Sequence, residues 1–284
     1  MKEIIKEISK IFPDELYLKI KYFIKLKRRL NLKNPERYNE KIQWLKLHDR
    51  NPDYTKLVDK YEVKEIIKEI LGEEYIIPTL GVYNRFDDID FDKLPKQFVI
   101  KCTHDSGGLV IVEDKKKLDK NKAKEKINRC LKRNYYYGTR EWPYKNVKPR
   151  IIIEKYITDE SKKELKDYKF FVFDGKVKLM FIATDRNSQN ETCFDFYDEK
   201  FNHLPFTNGH PNSLKKLNKP QNFEKMINLA EKIGRNMKHV RVDFYNVNGK
   251  ILFGEITFYH WSGMKKFEPD EWDYKIGKLI NLSK

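Results

Sequence analysis

Apolar positions follow two periods along this chain, and the alternation between them lays out its elements. Spacing of three and four residues predicts helices at Asn39 to His48 (docking through Ile42, Trp44, Leu45 and Leu47), Asp59 to Leu71, Asp119 to Arg133 and Phe223 to Met237. In the second of these, Tyr61, Ile66, Ile67, Ile70 and Leu71 supply the stripe and Gly72 the stop. Period-two or continuous apolar runs predict strands at Gln97 to Cys102, Leu109 to Val112, Arg150 to Ile157, Thr192 to Tyr197 and Val240 to Gly263. Two dipeptides read as hairpin turns. Asp174-Gly175 joins Lys169–Asp174 to Lys176–Thr184, and Asn248-Gly249 divides the last strand stretch. Phe86 to Pro95 reads as an acidic loop, and Phe206 to Pro220 as a loop long enough to serve a function.

Charge changes this picture first at the N-terminus. Residues 1–58 read as a basic helical region, and Tyr17 to Lys33 mixes Leu, Ile and Phe with Lys and Arg. That is the composition of a membrane-surface helix, so Lys19 to Lys33 is a candidate for peripheral contact with an anionic membrane. The preferred reading packs this helix on the body through Ile20, Phe23 and Ile24. The whole chain carries 59 Lys and Arg against 43 Asp and Glu, a net +16. Such an excess attracts polyanions, but the lysines are spread along the chain and no nucleic-acid-binding signature accompanies them, so nucleic acid is not expected as a partner. Cys102, Cys130 and Cys193 are too scattered for a disulfide framework or a zinc motif. No apolar run approaches the ~18–20 residues that span a bilayer, and the expected location is cytoplasmic.

Charges inside apolar strands are the candidate chemistry. In Val240 to Gly263, Arg241, Asp243 and Tyr245 share one strand face. A three-residue loop (Asn248, Gly249, Lys250) places Asp243 opposite Glu255 on that face. Neighbouring carboxylates repel unless a cation separates them. Either a hard divalent metal or Arg241 fills that role, and the hairpin alone leaves the choice open. Upstream, Lys101 ends an apolar strand just before Thr103-His104-Asp105-Ser106-Gly107-Gly108. A lysine leading into a glycine-bearing turn suits phosphate, because backbone N–H groups close over the anion. By itself this stretch is a weak signal, and a plain hairpin with an exposed lysine is the more common arrangement.

In order along the chain, DKYEVKEII, IPTLGVY, LPKQFVIKCTHDSGG, RIIIEKYI, DYKFFVFDGK and RVDFYNVNGKILFGEITFYHWSG resemble the TupA-like ATP-grasp family of bacterial surface-polysaccharide synthesis, from roughly Asn39 onward. The resemblance implies an α+β ATP-grasp fold of two subdomains, residues 59–153 and 154–284, with adenine held between them. It implies ATP and Mg²⁺ as cofactors. Glu154 and the backbone of Lys155 and Ile157 would meet the adenine, and Asp167 the ribose. Lys60, or the nearby Lys64, with Lys101 and the loop of Ser106, Gly107 and Gly108, would hold the phosphates. Asp243 and Glu255 would hold Mg²⁺. Arg241 would face the γ-phosphate and the developing oxyanion, and Lys169, the basic residue of the Asp-x-Arg/Lys pattern, would join it as a catalytic residue. Thr257 stands where the wider fold places an Asn ligand, so it is a candidate ligand of shorter reach. Arg186, His260 and Ser262 are candidates for substrate contact. The implied chemistry is ATP-dependent joining of a carboxylate to an amine through an acyl phosphate. By family analogy the carboxylate is a uronic acid of a glycan or nucleotide sugar, and the amine an amino acid or amino alcohol. Three alternatives compete: a glycosyltransferase using Asp88-Ile89-Asp90, a basic polyanion- or membrane-binding module, and a kinase on the same fold.

Overall fold

The computed structural model describes residues 11–158, 165–185 and 191–283. In chain order the helices and strands begin with α1 (Asp14–Leu26), α2 (Tyr38–His48), α3 (Tyr54–Val58), α4 (Glu62–Leu71), β1 (Thr79–Tyr83), β2 (Phe98–Cys102) and β3 (Leu109–Val112). They continue with α5 (Lys120–Leu131), α6 (Tyr135–Thr139), β4 (Ile151–Lys155), β5 (Asp167–Phe173), β6 (Lys176–Thr184), β7 (Cys193–Asp198), β8 (His203–Leu204) and β9 (Thr207–Asn208). Last come α7 (Phe223–Ile233), β10 (His239–Val247), β11 (Lys250–Thr257), β12 (Phe267–Glu268) and α8 (Glu271–Gly277). Among the described residues no helix is long and apolar enough to cross a membrane.

Two compact units result. Residues 51–158 form one, around an antiparallel sheet of order β1-β4-β2-β3. One face of that sheet packs Phe98, Ile100, Cys102, Ile151 and Ile153 against Ala123, Ile127 and Cys130 of α5. Phe86, Ile89, Phe91 and Leu94 of the acidic loop close the same core, so its apolar residues are structural. The second unit joins the described residues before 51 to those after 158, around an antiparallel sheet of order β11-β10-β5-β6-β7-β8. Strands β9 and β12 pair beside it.

The N-terminal helices therefore do not form a region of their own, as the division at residue 58 expected. Helix α2 is tied into the second unit by a backbone N–H of its first turn and by the buried Gln43 side chain. The Asn39 N–H donates to Asp273 Oδ1 (2.9 Å), and Gln43 Nε2 donates to the carbonyls of Ser262 (3.0 Å) and Gly263 (2.9 Å). Buried donors need such partners, and these carbonyls need donors in return.

Helix α1 packs on the opposite face from the one expected. Leu18, Tyr22 and Leu26 are buried, whereas Ile20, Phe23 and Ile24 are 46%, 55% and 57% exposed. The i, i+4, i+8 row beginning at Leu18 is the one that meets Leu30 and Met264. A similar correction applies after Val58. The expected helix from Asp59 begins at Glu62, and its buried row is Val63, Lys64 and Ile67, with Tyr61 and Ile70 exposed. A lysine takes an inward position there because an acid waits for it, as described below.

The hairpin reaches its expected register by an unexpected route. Val247 pairs with Lys250, so the turn contains two residues, both left-handed (Asn248 φ 51°, Gly249 φ 79°). That is the type I′ pattern an Asn-Gly pair favours. A two-residue turn by itself would place Gly254 opposite Asp243. A bulge between the Phe244–Phe253 and Asp243–Glu255 pairs leaves Gly254 unpaired and restores the Asp243–Glu255 alignment. A Cβ on Gly254 would lie 3.1 Å from the Asp243 carbonyl, which favours glycine at the bulge.

The packing of α1 can be checked by denaturation. Leu18→Ala should cost about 2–5 kcal/mol, and Phe23→Ala should stay within about 0.5 kcal/mol. Equal costs would contradict the assignment of faces.

Candidate active site

Strand β10 lies between β11 and β5, so its side chains meet neighbours from both. Arg241 and Asp243, two residues apart, project from the same face and form a bidentate pair. Arg241 Nε donates to Asp243 Oδ1 (2.7 Å) and Nη2 to Asp243 Oδ2 (2.8 Å). From β5, Lys169 donates to the same Oδ2 and lies 3.5 Å from Asp167 Oδ2. From β11, Thr257 Oγ1 accepts from Arg241 Nη2 (2.9 Å), and Glu255 is the cross-strand partner of Asp243. His260 Nδ1 accepts from Arg241 Nη1 (2.7 Å). A guanidinium has five N–H donors; four are engaged here, and the fifth, on Nη1, has no acceptor among the described residues.

The electrostatics follow from burial. Burial pushes the Asp243 carboxyl up, but Arg241 and Lys169 more than reverse this and hold it below the usual carboxylate range. Lys169 is lowered by burial and by Arg241, against the pull of Asp243. Burial, with the charges of Arg241 and Lys169, takes His260 well below its ordinary value. A neutral ring fits its bonds: Nδ1 accepts from Arg241, which leaves Nε2–H to donate to Asn208 Oδ1 (3.1 Å). His239, at the start of β10, is pushed down to about 3, chiefly by burial. Its Nδ1–H donates to the Val172 carbonyl (3.0 Å), and Nε2 accepts from Tyr38 OH (3.0 Å).

The other unit gathers a second charged cluster. Glu154, buried in β4, receives Lys64 on Oε1 and Lys101 on Oε2, the latter at 2.5 Å. Lys64 also donates to the Ile77 carbonyl (2.7 Å) and Thr79 Oγ1 (2.9 Å). Burial raises the Glu154 carboxyl, and the two lysines bring it below its ordinary value. Beside them runs the loop after β2. The Ser106 N–H (2.6 Å) and Gly107 N–H (3.3 Å) both donate to Asp105 Oδ1, while Arg133 Nε donates to Asp105 Oδ2 (2.5 Å). The amides assigned to phosphate from the sequence are thus held by the loop's own carboxylate. Gly108 has no room for a side chain, since a Cβ would lie 2.5 Å from both the Cys102 and Cys130 sulfurs.

Among the expected site residues, the structure therefore brings together Arg241, Asp243, Lys169, Thr257 and His260, with Asp167 and Glu255 beside them. It separately brings together Lys101 and Glu154. Lys60 stands apart from that pair, donating to the Asp105 carbonyl (2.9 Å), and Lys64 takes the inward place. The Lys155 N–H is taken by the Pro78 carbonyl (3.0 Å), its side chain is exposed, and Ile157 is half-buried. Ser262 Oγ accepts from the buried Lys46 (2.7 Å). Arg186 lies outside the described residues. In the Asp88-Ile89-Asp90 stretch, Ile89 is core and Asp90 caps a turn at the Asp92 N–H (3.1 Å). Sequence reading missed Asn208 and Lys46. Neither belongs to a motif, though an Asn within the long 206–220 loop and a lysine on the apolar-flanked Asn39–His48 helix were visible signals.

The family model for TupA-like ATP-grasp proteins matches residues 40–281, and the chain belongs to that family. Its α+β architecture is an ATP-grasp fold. Solved structures similar to it include a D-alanine–D-alanine ligase from Bacillus anthracis complexed with ATP, at 20% identity and a TM-score of 0.39 over 71% of this chain and 55% of that one. The corresponding ligase from Helicobacter pylori gives 15% and 0.44 over 85% and 67%. A RimK domain ATP-grasp protein from Sphaerobacter thermophilus gives 12% and 0.44 over 82% and 70%. The chain spans about half the length of the first of these. No curated protein matches it.

The neutral histidines set a pH dependence. A histidine whose folded value lies below its unfolded ~6.5 stabilises the fold fully above that value and loses the contribution as pH falls toward the folded value. Between pH 6.5 and 5, stability should fall by up to about 1.4 kcal/mol per pH unit for each such histidine. Urea denaturation of a His239→Gln variant should show a shallower slope than the parent. Parallel slopes would mean that His239 is not held neutral.

Proposed function

We propose that the protein is an ATP-dependent ligase that joins a carboxylate to an amine through an acyl phosphate. The observation that carries this reading is the alignment of Asp243 with Glu255 beside Arg241, Lys169 and Thr257, in a chain of the ATP-grasp family. In this reading the two compact units correspond to the two ATP-grasp subdomains, with Lys64, Lys101 and Glu154 on one and the hairpin cluster on the other.

The residues fit a magnesium ion by donor chemistry. Two carboxylates and a hydroxyl form a hard oxygen set, the type Mg²⁺ prefers. Asp243 and Glu255 would hold it, with Thr257 directly or through water. Arg241 and Lys169 already lie on Asp243 oxygens, so the ion would compete with them there. The bound ion would neutralise charge on the ATP phosphates. Lys64 and Lys101 would bind those phosphates in exchange for their bonds to Glu154.

The chain's own groups supply position and charge. The substrate carboxylate attacks the γ-phosphate, which leaves ADP and an acyl phosphate; the amine then displaces phosphate and an amide remains. Neither step needs a protein nucleophile. Arg241, fixed by four hydrogen bonds, offers its remaining Nη1–H to the oxygen on which negative charge develops. The carboxylate is a uronic acid and the amine an amino acid or amino alcohol, for a capsule or other surface polysaccharide; family analogy supports this finer assignment.

ADP release with Mg-ATP, a uronate and an amine tests the reading. Asp243→Asn and Glu255→Gln should each lower it by a factor of about 10² or more with the circular dichroism spectrum kept. Full activity in both, or sugar transfer from a nucleotide donor without ATP consumption, would contradict it.

A further inference from the structure

Helix α1 carries two apolar rows, and the fold buries one of them. Leu18, Tyr22 and Leu26 enter the core, while Leu16, Ile20, Phe23 and Ile24 remain exposed. At 3.6 residues per turn these four lie within about 100° of one another, so they form one strip along the helix. Ile11 and Phe12, just ahead of the helix, are exposed as well. Single exposed apolar side chains are ordinary on a protein surface, but a contiguous strip of large ones marks a surface that meets something.

Charge is arranged around the strip and not on it. Lys19 borders it on one side; Tyr17, and beyond it Lys21 and Lys25, border it on the other. Lys21 and Lys25 share a pocket wall with Lys265 and Lys266, which adds two ammonium groups to that margin, against Glu268 as the one carboxylate in the wall. Lys27, exposed, closes the C-terminal end of the helix in left-handed backbone. Both acids of α1 lie off the strip and are engaged. Lys19 Nζ donates to Glu15 Oε1 (2.6 Å), and Asp14 lies 3.9 Å from Arg50. Positive charge therefore gathers on the Lys21 side.

We propose that this strip docks the protein on an anionic lipid surface, with α1 lying in the plane of the headgroups. Apolar side chains flanked by lysines are the pattern of an interfacial helix. The strip enters the acyl boundary, and the lysine stems run along it until their ammonium groups meet lipid phosphates. A protein partner fits less well, because lysine is depleted where two proteins bury apolar surface against each other. The net +16 of the chain adds attraction to the same surface. With 13 residues α1 is too short to span a bilayer, so it lies on the membrane. The helix precedes residues 40–281, which match the family, so the docking surface stands on a segment outside the shared fold. It does not depend on the ligase reading.

Co-sedimentation of the full chain with vesicles tests the docking, using phosphatidylcholine alone and phosphatidylcholine with about one part in three of phosphatidylglycerol. The mixed vesicles should bind the protein about tenfold more tightly than the neutral ones, or more. Ile20→Ser/Phe23→Ser should weaken that binding by about tenfold. The same double variant should keep the parent melting temperature, since both side chains lie outside the core row. Lys21→Ala/Lys25→Ala should weaken binding to the mixed vesicles by about tenfold as well. No binding to the mixed vesicles would overturn the proposal. So would parent-like binding by Ile20→Ser/Phe23→Ser, the behaviour of adsorption by charge alone. A lower melting temperature in that variant would mean that another part of the chain covers the strip. A parent dimer that the variant dissolves would mean that a second copy does, and either result overturns the proposal.

Discussion

A guanidinium and a carboxylate, paired in the interior strand of a sheet, impose most of the order around them. Arg241 and Asp243 are both buried, and each would be costly to leave unpaired. Their mutual fork satisfies part of that need. The remainder is met by groups from every neighbouring element: Lys169 from β5, Thr257 from β11, and His260 from the turn after it. Removing one partner of such a buried pair typically costs about 3–5 kcal/mol, because the other is left charged in a dry setting. The pair thus constrains which strands lie beside β10 and which residues they present.

The constraint propagates outward along hydrogen bonds. A positive Arg241 requires a neutral His260, and a neutral His260 with one nitrogen accepting must donate from the other. Asn208 Oδ1 accepts that hydrogen bond. Asn208 is itself fixed by the β9–β12 pairing and by donation from its Nδ2 to the Lys266 carbonyl (2.9 Å). On the far side, Lys46 and Gln43 of α2 hold the left-handed turn through Ser262 and Gly263. The turn therefore keeps an unfavourable backbone because two elements grip it.

The second unit's counterpart works by the same rule with the signs exchanged. There a single buried carboxylate, Glu154, holds two lysines, and Asp105 holds the amides of a glycine-bearing loop. In both units the groups suited to phosphate or metal are occupied by internal partners of opposite charge. On the proposed reading, an incoming ligand would exchange one charged partner for another, which avoids exposing an unpaired charge in a buried site.

Much of this was legible in the residues themselves. Charges interrupting apolar strands marked Lys101, Arg241, Asp243 and Glu255, because a strand tolerates such residues inside only with a partner, while Glu154 and Lys169 entered through the family resemblance. Turn chemistry at Asp174-Gly175 and Asn248-Gly249 located the hairpins, since left-handed backbone is cheap for so few residue types. Other features were not legible, each for a physical reason. The bulge at Gly254 depends on how two strands meet, and alternation along one strand carries no record of it. Lys60 and Lys64 are equivalent by spacing until Glu154 arrives from a distant strand. Helix α1 offers two apolar rows, and which one is buried was settled by Leu30 and Met264. Asn208 and Lys46 act only through contacts made far along the chain. Local pattern and turn chemistry, which are short-range, determined the elements and the charged residues within them; partner choice, register and the depth of burial are long-range, and only the tertiary structure decided those.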